Sequence, residues 1–350
     1  MSATKHNFCR IFTFAICAVV FCGVNVFAQI DSSAFAETSS RRSALEKRDD
    51  STVRAIKAAP NVEVSIKVCG NTLNVNGWER NEVRAFVQHG EGVSIAVLGT
   101  DKKTGSPNRL QISSIGRVES GGASGSPLNC INGEKIRLDV PLNASVNVQG
   151  DTRLISIEKI GTISVENNSG NISISNVSSD VLARAFGGNI LVSKSAGNID
   201  VYSSGGNVVV YGTAINDKKD FLRAKALDGS ITVQNAAQKD VKLNTVSGQI
   251  FVAGSFEDKG NYYYGTENGN ITVGAPSGTS CDVEAVFSGE FSSELPLKDV
   301  TKERIGGVTS MTGKLGKGGC TMVFSSIGGE IRIIDLPKNG EGIPNELQNN

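Results

Sequence analysis

The sequence predicts an all-β protein: a single-stranded parallel β-solenoid, or β-helix, with coils of about 18–21 residues, preceded by a strand-rich N-terminal capping portion. Three observations carry that prediction. The first is a phrase, Gly-x-[Ile/Val]-x-[Val/Ile], that starts at Gly161, Gly170, Gly188, Gly197, Gly206, Gly229, Gly248, Gly269 and Gly329. Composition alone would supply it about once or twice, so its recurrence is architecture. The second is the step between glycines: 170 to 188, 188 to 206, 229 to 248, 248 to 269 and 269 to 289. The third is a set of alternating runs ahead of the glycines, VKLNTV before Gly248, DVEAVF before Gly289 and TMVF before Gly329, each a second strand of its coil.

In chain order, residues 1–28 read as a secretory signal. Lys5, His6 and Arg10 precede a short apolar stretch from Ile11 to Phe21, and Val26, Phe27 and Ala28 suit a signal peptidase. Phe21, ahead of Cys22, is not the small residue that a lipidation motif requires. Residues 29–58 are rich in Ser, Ala and charge, too poor in large apolar groups to offset the entropy of ordering, and are expected to be a flexible spacer. Residues 59–135 form the capping portion and 136–336 the repeats. The tail, 337–350, has the composition of the spacer.

A strand entered through a tight bend buries alternate side chains. Ile172, Ile190, Val208, Ile231, Ile250 and Ile271 therefore share one buried column, and Ile174, Val192, Val210, Val233, Val252 and Val273 a second. Each buried side chain contributes about 1.5–3 kcal/mol. Asn171, Asn189, Asn207 and Asn270 follow their glycines, where Asn tolerates the bend and can bond its stacked neighbours. Middle residues face outward, which brings Leu191 and Val209 together as a possible contact surface, unless the N-terminal region packs over them.

Four cysteines remain after the signal: Cys69, Cys130, Cys281 and Cys320. An exported chain permits two disulfides among them. Cys281 lies eight residues before Gly289 and Cys320 eight before Gly328, so they occupy equivalent places. Were 290–319 a full coil, they would stand about 9.6 Å apart, beyond bonding reach. The run KDVTKERIGGVTSMTGKLGKGG reads instead as a polar excursion, which makes the two coils neighbours and pairs Cys281 with Cys320. Cys69 and Cys130 are then the second pair.

Chemistry is sparsely encoded. Lys plus Arg equals Asp plus Glu at 35 each, with no basic run interleaved with aromatics, which disfavours nucleic acid as a partner. No apolar stretch beyond the signal is long enough for a stable transmembrane segment. His89, in VQHGEG, is the sole histidine after the signal and has no nucleophile motif to serve. The cysteines are too dispersed for a metal site, and no cofactor is expected. Asp180, Asp200, Asp228 and Asp240 are the carboxylates a polysaccharide-active enzyme would need, but they fall where turns are expected. Tyr262 and Tyr264, with Tyr263 between them, form the densest aromatic group and a possible contact surface; the competing reading puts two of the three in the core. Trp78 is expected to cap the first coils. Lys298, Lys302, Arg304, Lys314 and Lys317 make the late excursion basic, a solvated loop or a contact for an anionic polymer.

The phrases VEVSIKVCGNTLNVNGWERNEVRAFV and RLDVPLNASVNVQGDTRLISIEKIGTISV, the step Val140-Pro141-x-x-Ala144 and the serial SGNISI and GGNILV coils resemble the DUF4097 family over roughly residues 62–335. These are bacterial envelope proteins provisionally labelled adhesins. The resemblance implies a secreted or periplasmic β-solenoid and supplies no functional residues. The expectation is an exported non-enzymatic envelope protein (periplasmic, outer-membrane-associated or extracellular) presenting a repetitive β surface to an envelope protein or a glycan. A polysaccharide-active enzyme using surface carboxylates and a purely structural spacer are the alternatives.

Overall fold

In a computed structural model of the chain, residues 51–90, 92–115 and 130–336 are described. They form strands without helices. The first seven are β1 (Ser51–Lys57), β2 (Glu63–Val68), β3 (Thr72–Trp78), β4 (Glu82–Gln88), β5 (Val93–Thr100), β6 (Pro107–Ser114) and β7 (Lys135–Pro141). The middle of the chain gives β8 (Ser145–Gly150), β9 (Leu154–Glu158), β10 (Thr162–Asn167), β11 (Asn171–Ser175), β12 (Val181–Ala185), β13 (Ile190–Ser193) and β14 (Ile199–Ser203). It continues with β15 (Val208–Tyr211), β16 (Phe221–Ala226), β17 (Ile231–Gln234), β18 (Asp240–Ser247), β19 (Ile250–Ala253), β20 (Asn261–Asn268) and β21 (Ile271–Pro276). Last come β22 (Cys281–Phe287), β23 (Phe291–Ser293), β24 (Leu297–Ile305), β25 (Val308–Leu315), β26 (Cys320–Ser326) and β27 (Ile331–Leu336).

Each middle coil places one strand in each of two sheets. Sheet A runs β1-β4-β7-β3-β9-β11-β13-β15-β17-β19-β21-β27-β23, and sheet B runs β24-β25-β22-β26-β20-β18-β16-β14-β12-β10-β8-β2-β6-β5. Successive coils pair in parallel without slippage, Ile172 against Ile190, Ile190 against Val208, Val208 against Ile231 and so on to Ile250 against Ile271. The matching columns of sheet B run Ile163, Val181, Ile199, Leu222, Val241 and Val165, Ala183, Val201, Ala224, Leu243. All of these side chains are buried. The phrases at Gly161 and Gly197 belong to sheet B, which is why they fall half a coil, nine residues, from their neighbours.

Two ladders tie the corners. The side-chain oxygen of Asn171 accepts from the backbone N–H of Asn189 at 2.9 Å, Asn189 from Asn207 at 2.8 Å, and Asn207 from Ser230 at 2.8 Å. Hydroxyls at the ends of sheet B strands donate to glycine carbonyls, Ser203 to Gly188 at 2.8 Å and Thr245 to Gly229 at 2.8 Å. Glycine is required at this corner by close approach. A Cβ built on Gly188, Gly206, Gly229, Gly248 or Gly269 would overlap the carbonyl of the glycine one coil earlier.

Chain order fails at both ends. The last coil, β26 and β27, is inserted between β20–β21 and β22–β23, so the glycine column passes from Gly269 to Gly329 and only then to Gly289. The expected direct step from 269 to 289 is thus replaced. At the other end, β2 and β3 lie directly on β8 and β9, with β6 and β7 outside them. The 59–135 portion therefore supplies a coil of the solenoid itself, flanked by the antiparallel strands β4, β1 and β5. Residues 51–57, placed in the spacer by composition, form β1: Val53 pairs with Phe86 in a sheet that needs an outer strand. The late excursion is an antiparallel hairpin, β24–β25, closed by Gly306 and Gly307 at φ of 57° and 88°. The signal, Cys22, the tail and most of the spacer lie outside the described residues.

Candidate functional site

Tyr262 and Tyr264 point inward, a correction to their reading as surface groups. Register places them opposite Val241 and Leu243, so they occupy the buried columns of sheet B, and alternation leaves Tyr263 outside. The Glu257 N–H donates to the Tyr262 hydroxyl at 2.9 Å, whereas the fully buried Tyr264 hydroxyl has no partner. Burial raises both phenols, Tyr264 well above the ordinary value.

Leu191 and Val209 do stand opposite one another on the outer face of sheet A, both half-buried. The N-terminal strands do not cover them, because those strands extend the same two sheets along the stack axis. Phe251, two coils further in the same row, is 7% exposed rather than open.

The cysteines pair as Cys69–Cys130, with Cα atoms 5.7 Å apart, and Cys281–Cys320, at 4.3 Å. Cys281 and Cys320 are opposite residues of β22 and β26. Each bridge fastens an inserted coil to the coil outside it. His89 is half-exposed and lies 2.8 Å from Glu134. Trp78 donates its indole N–H to the Glu82 carbonyl at 2.7 Å, with the Arg84 and Arg80 guanidiniums 4.7 and 5.1 Å from its ring. Arg84 and Arg137 both engage the buried Asp139 carboxylate.

Three of the four carboxylates considered for catalysis have other partners. Asp180 accepts from Asn198 one coil on, whereas Asp228 is paired with Ser247 through the backbone alone. Asp200 and Asp240 are not turn residues, as the sequence had suggested, but lie within β14 and β18. Asp240 holds Arg223 through both oxygens, and Asp200 is 3.9 Å from Arg184. Among the described residues, no group of three or more His, Cys, Asp and Glu side chains could hold a metal, and no helix is long and apolar enough to cross a membrane. In the hairpin, Lys314 pairs with Asp299 at 3.2 Å.

Sequence patterning missed the outer face of sheet B. There, one row runs Arg223, Lys242, Tyr263, Val323 and the next Lys225, Asn244, Gly265, Ser325. Gly265 contributes no side chain, and its neighbours Tyr263 and Asn244 occupy the space a Cβ would take; a hollow of about 570 Å³ lies among these groups. The Tyr263 ring leans over the glycine: a Cβ on Gly265 would lie 3.0 Å from its Cε1 and hydroxyl and 2.9 Å from the Asn244 oxygen. Lys242 stands 5.4 Å from the Tyr263 centroid. Aligning FLRAKA, DVKLNT and NYYYGT as successive strands puts these groups side by side.

A family model described as Toastrack DUF4097 matches residues 42–314. No curated protein matches the chain. Among solved structures, one from Clostridium sporogenes, provisionally described as a cell adhesion protein, is 11% identical with a TM-score of 0.21, covering 83% of this chain and 100% of its own. A Parabacteroides distasonis protein, provisionally described as lipid binding, is 13% identical at a TM-score of 0.37, covering 82% and 97%. A Bacteroides fragilis protein, provisionally described as an adhesin, is 13% identical at 0.35, covering 81% and 97%. At these scores no property of those proteins transfers to this chain.

Proposed function

Because the chain belongs to the Toastrack DUF4097 family, we propose that it is an exported, non-enzymatic envelope protein whose solenoid faces make contact with another protein or a glycan. The observation that carries this reading is the register of the outer faces. Outward side chains stand one per coil on strands hydrogen-bonded on both sides, from β10 through β20 in sheet B. Such a face binds with little backbone ordering cost, since its backbone positions are held at fixed spacing before any partner arrives. Two disulfides suit an oxidising compartment outside the cytoplasm.

Capture from envelope extracts tests the reading. The full chain is expected to retain a specific component that a variant with scrambled outward residues on both sheets does not; equal capture by the two sinks it. Incubation with neutral and acidic polysaccharides tests the enzymatic alternative, which requires product release. Fractionation of cells expressing a C-terminally tagged chain tests export.

A further inference from the structure

We propose that the hollow over Gly265 is a binding site for an acidic sugar, a pyranose bearing a carboxylate, within a longer glycan. The proposal rests on the contact reading above and assigns it a place and a ligand class.

The groups around the hollow are uncommitted. Among the described residues, Lys225, Lys242 and Asn244 have no hydrogen-bond or ion-pair partner, nor does the Tyr263 hydroxyl, and the one contact of the Lys242 ammonium is with the Tyr263 ring at 5.4 Å. Their neighbours differ: Arg223 is held by Asp240, Lys239 lies 3.7 Å from Glu257, and Lys314 is paired with Asp299. On a surface where several cations are paired, the Lys225 ammonium and a Lys242 ammonium held only by the Tyr263 ring make a polar site with unmet capacity.

The chemistry matches a sugar acid. A pyranose presents an apolar C–H face, which an aromatic ring takes up, and a rim of hydroxyls. Lys225 and Lys242 offer charge to a carboxylate, Asn244 offers both donor and acceptor to hydroxyls, and the Glu267 carboxylate at the edge accepts only. The missing side chain at Gly265 is what lets the Tyr263 ring and the Asn244 amide fold down over that strand, leaving the hollow beside them. The hollow is shallow and open, which suits an internal residue of a chain rather than an enclosed small molecule. Two strand spacings of about 4.8 Å and a two-residue offset along the strand put the Lys225 and Tyr263 backbones roughly 12 Å apart, a span of about two to three pyranose units.

Calorimetry on the full chain tests this with a galacturonic acid tetramer, a hyaluronan tetramer and a neutral galactan tetramer. At least one acidic probe is expected to bind tenfold or more tightly than the neutral one and to weaken as salt rises. Lys225→Ala/Lys242→Ala and Tyr263→Ala should each lower that affinity at least tenfold with the melting temperature unchanged, while Val97→Ala, exposed on β5 at the far end of the sheet, should leave it intact. Binding of neither acidic probe, or binding that survives the lysine and tyrosine substitutions, overturns the site. If envelope capture persists while neither acidic probe binds, the contact reading stands and the ligand class falls.

Discussion

The middle of this solenoid and its two ends are built from the same coil but secured differently. From β8 to β21 each coil stacks on the one made just before it, and adjacent coils are joined by backbone pairing, an Asn ladder and a hydroxyl ladder. At each end the terminal coil is slipped one place inward and covalently fastened to its outer neighbour. A middle coil is supported from both sides by its own sequence neighbours. An end coil depends on residues that arrive by a long connection, 61 residues at one end and 39 at the other. Closing loops of that size is where a covalent link contributes most.

The largest expected effect comes from removing those links. In the chain-entropy account, loops of this length imply about 4 kcal/mol for each bridge. Cys281→Ala/Cys320→Ala is expected to lose about that much in urea unfolding, with faster amide exchange in β22–β26 and unchanged exchange in β12–β17. Uniform acceleration along the stack would break the distinction between ends and middle. The bridges themselves differ: Cys281 and Cys320 are fully buried, whereas Cys69 and Cys130 are half-buried. Graded reductant followed by alkylation and mass spectrometry should therefore open Cys69–Cys130 first.

Within the middle, Gly248→Ala forces a Cβ onto the Gly229 carbonyl and should cost about 1–3 kcal/mol by denaturant titration. Asn207→Ala frees one backbone N–H at Ser230 on the surface and should cost about 0.5–1 kcal/mol. A loss from Asn207→Ala as great as that from Gly248→Ala would show that the ladder, not the corner, sets coil spacing.

The smallest effect at neutral pH is expected at Tyr264, whose hydroxyl is buried without a partner. Tyr264→Phe should be neutral or stabilising by up to about 1 kcal/mol. Its alkaline signature is larger. Burial raises the folded phenol well above 10, so the unfolded chain ionises first. Stability is intact below that value and declines as pH climbs from it toward the folded pKa. The substitution should shallow that decline, measured as melting temperature against pH between 9 and about 11.

Much of this was legible in sequence because a two-residue alternation and a one-coil step constrain each other. Ile190 could only pair with Ile172 or Val208 if all three were to stay dry. Cys281 and Cys320 pair because a hairpin, not a coil, separates their strands, although Cys281 lies eight residues before its corner glycine, Gly289, and Cys320 nine before Gly329. Order at the ends was not legible. GEIRI at Gly329 fits against GNITV at Gly269 by the same corner geometry used everywhere, and nothing in the phrase says which copy lies beneath it. The hairpin was marked by Ile305-Gly306-Gly307-Val308, a turn pair between alternating residues, but its charge masked it. Outward groups such as Lys242 and Tyr263 escaped notice because the glycine phrase marks mainly sheet A, and the site lies on sheet B.

The slipped terminal coil has a consequence for how the chain matures as it emerges N-terminus first. When β22 and β23 appear, their eventual bed does not yet exist, and the exposed flank of β20 and β21 offers the same aliphatic corner. Final architecture waits for residues 320–336 to arrive and wedge themselves in, and until then the Cys281 thiol has no mate. Premature docking would have to be undone, so residues 320–336 decide whether everything upstream is finished.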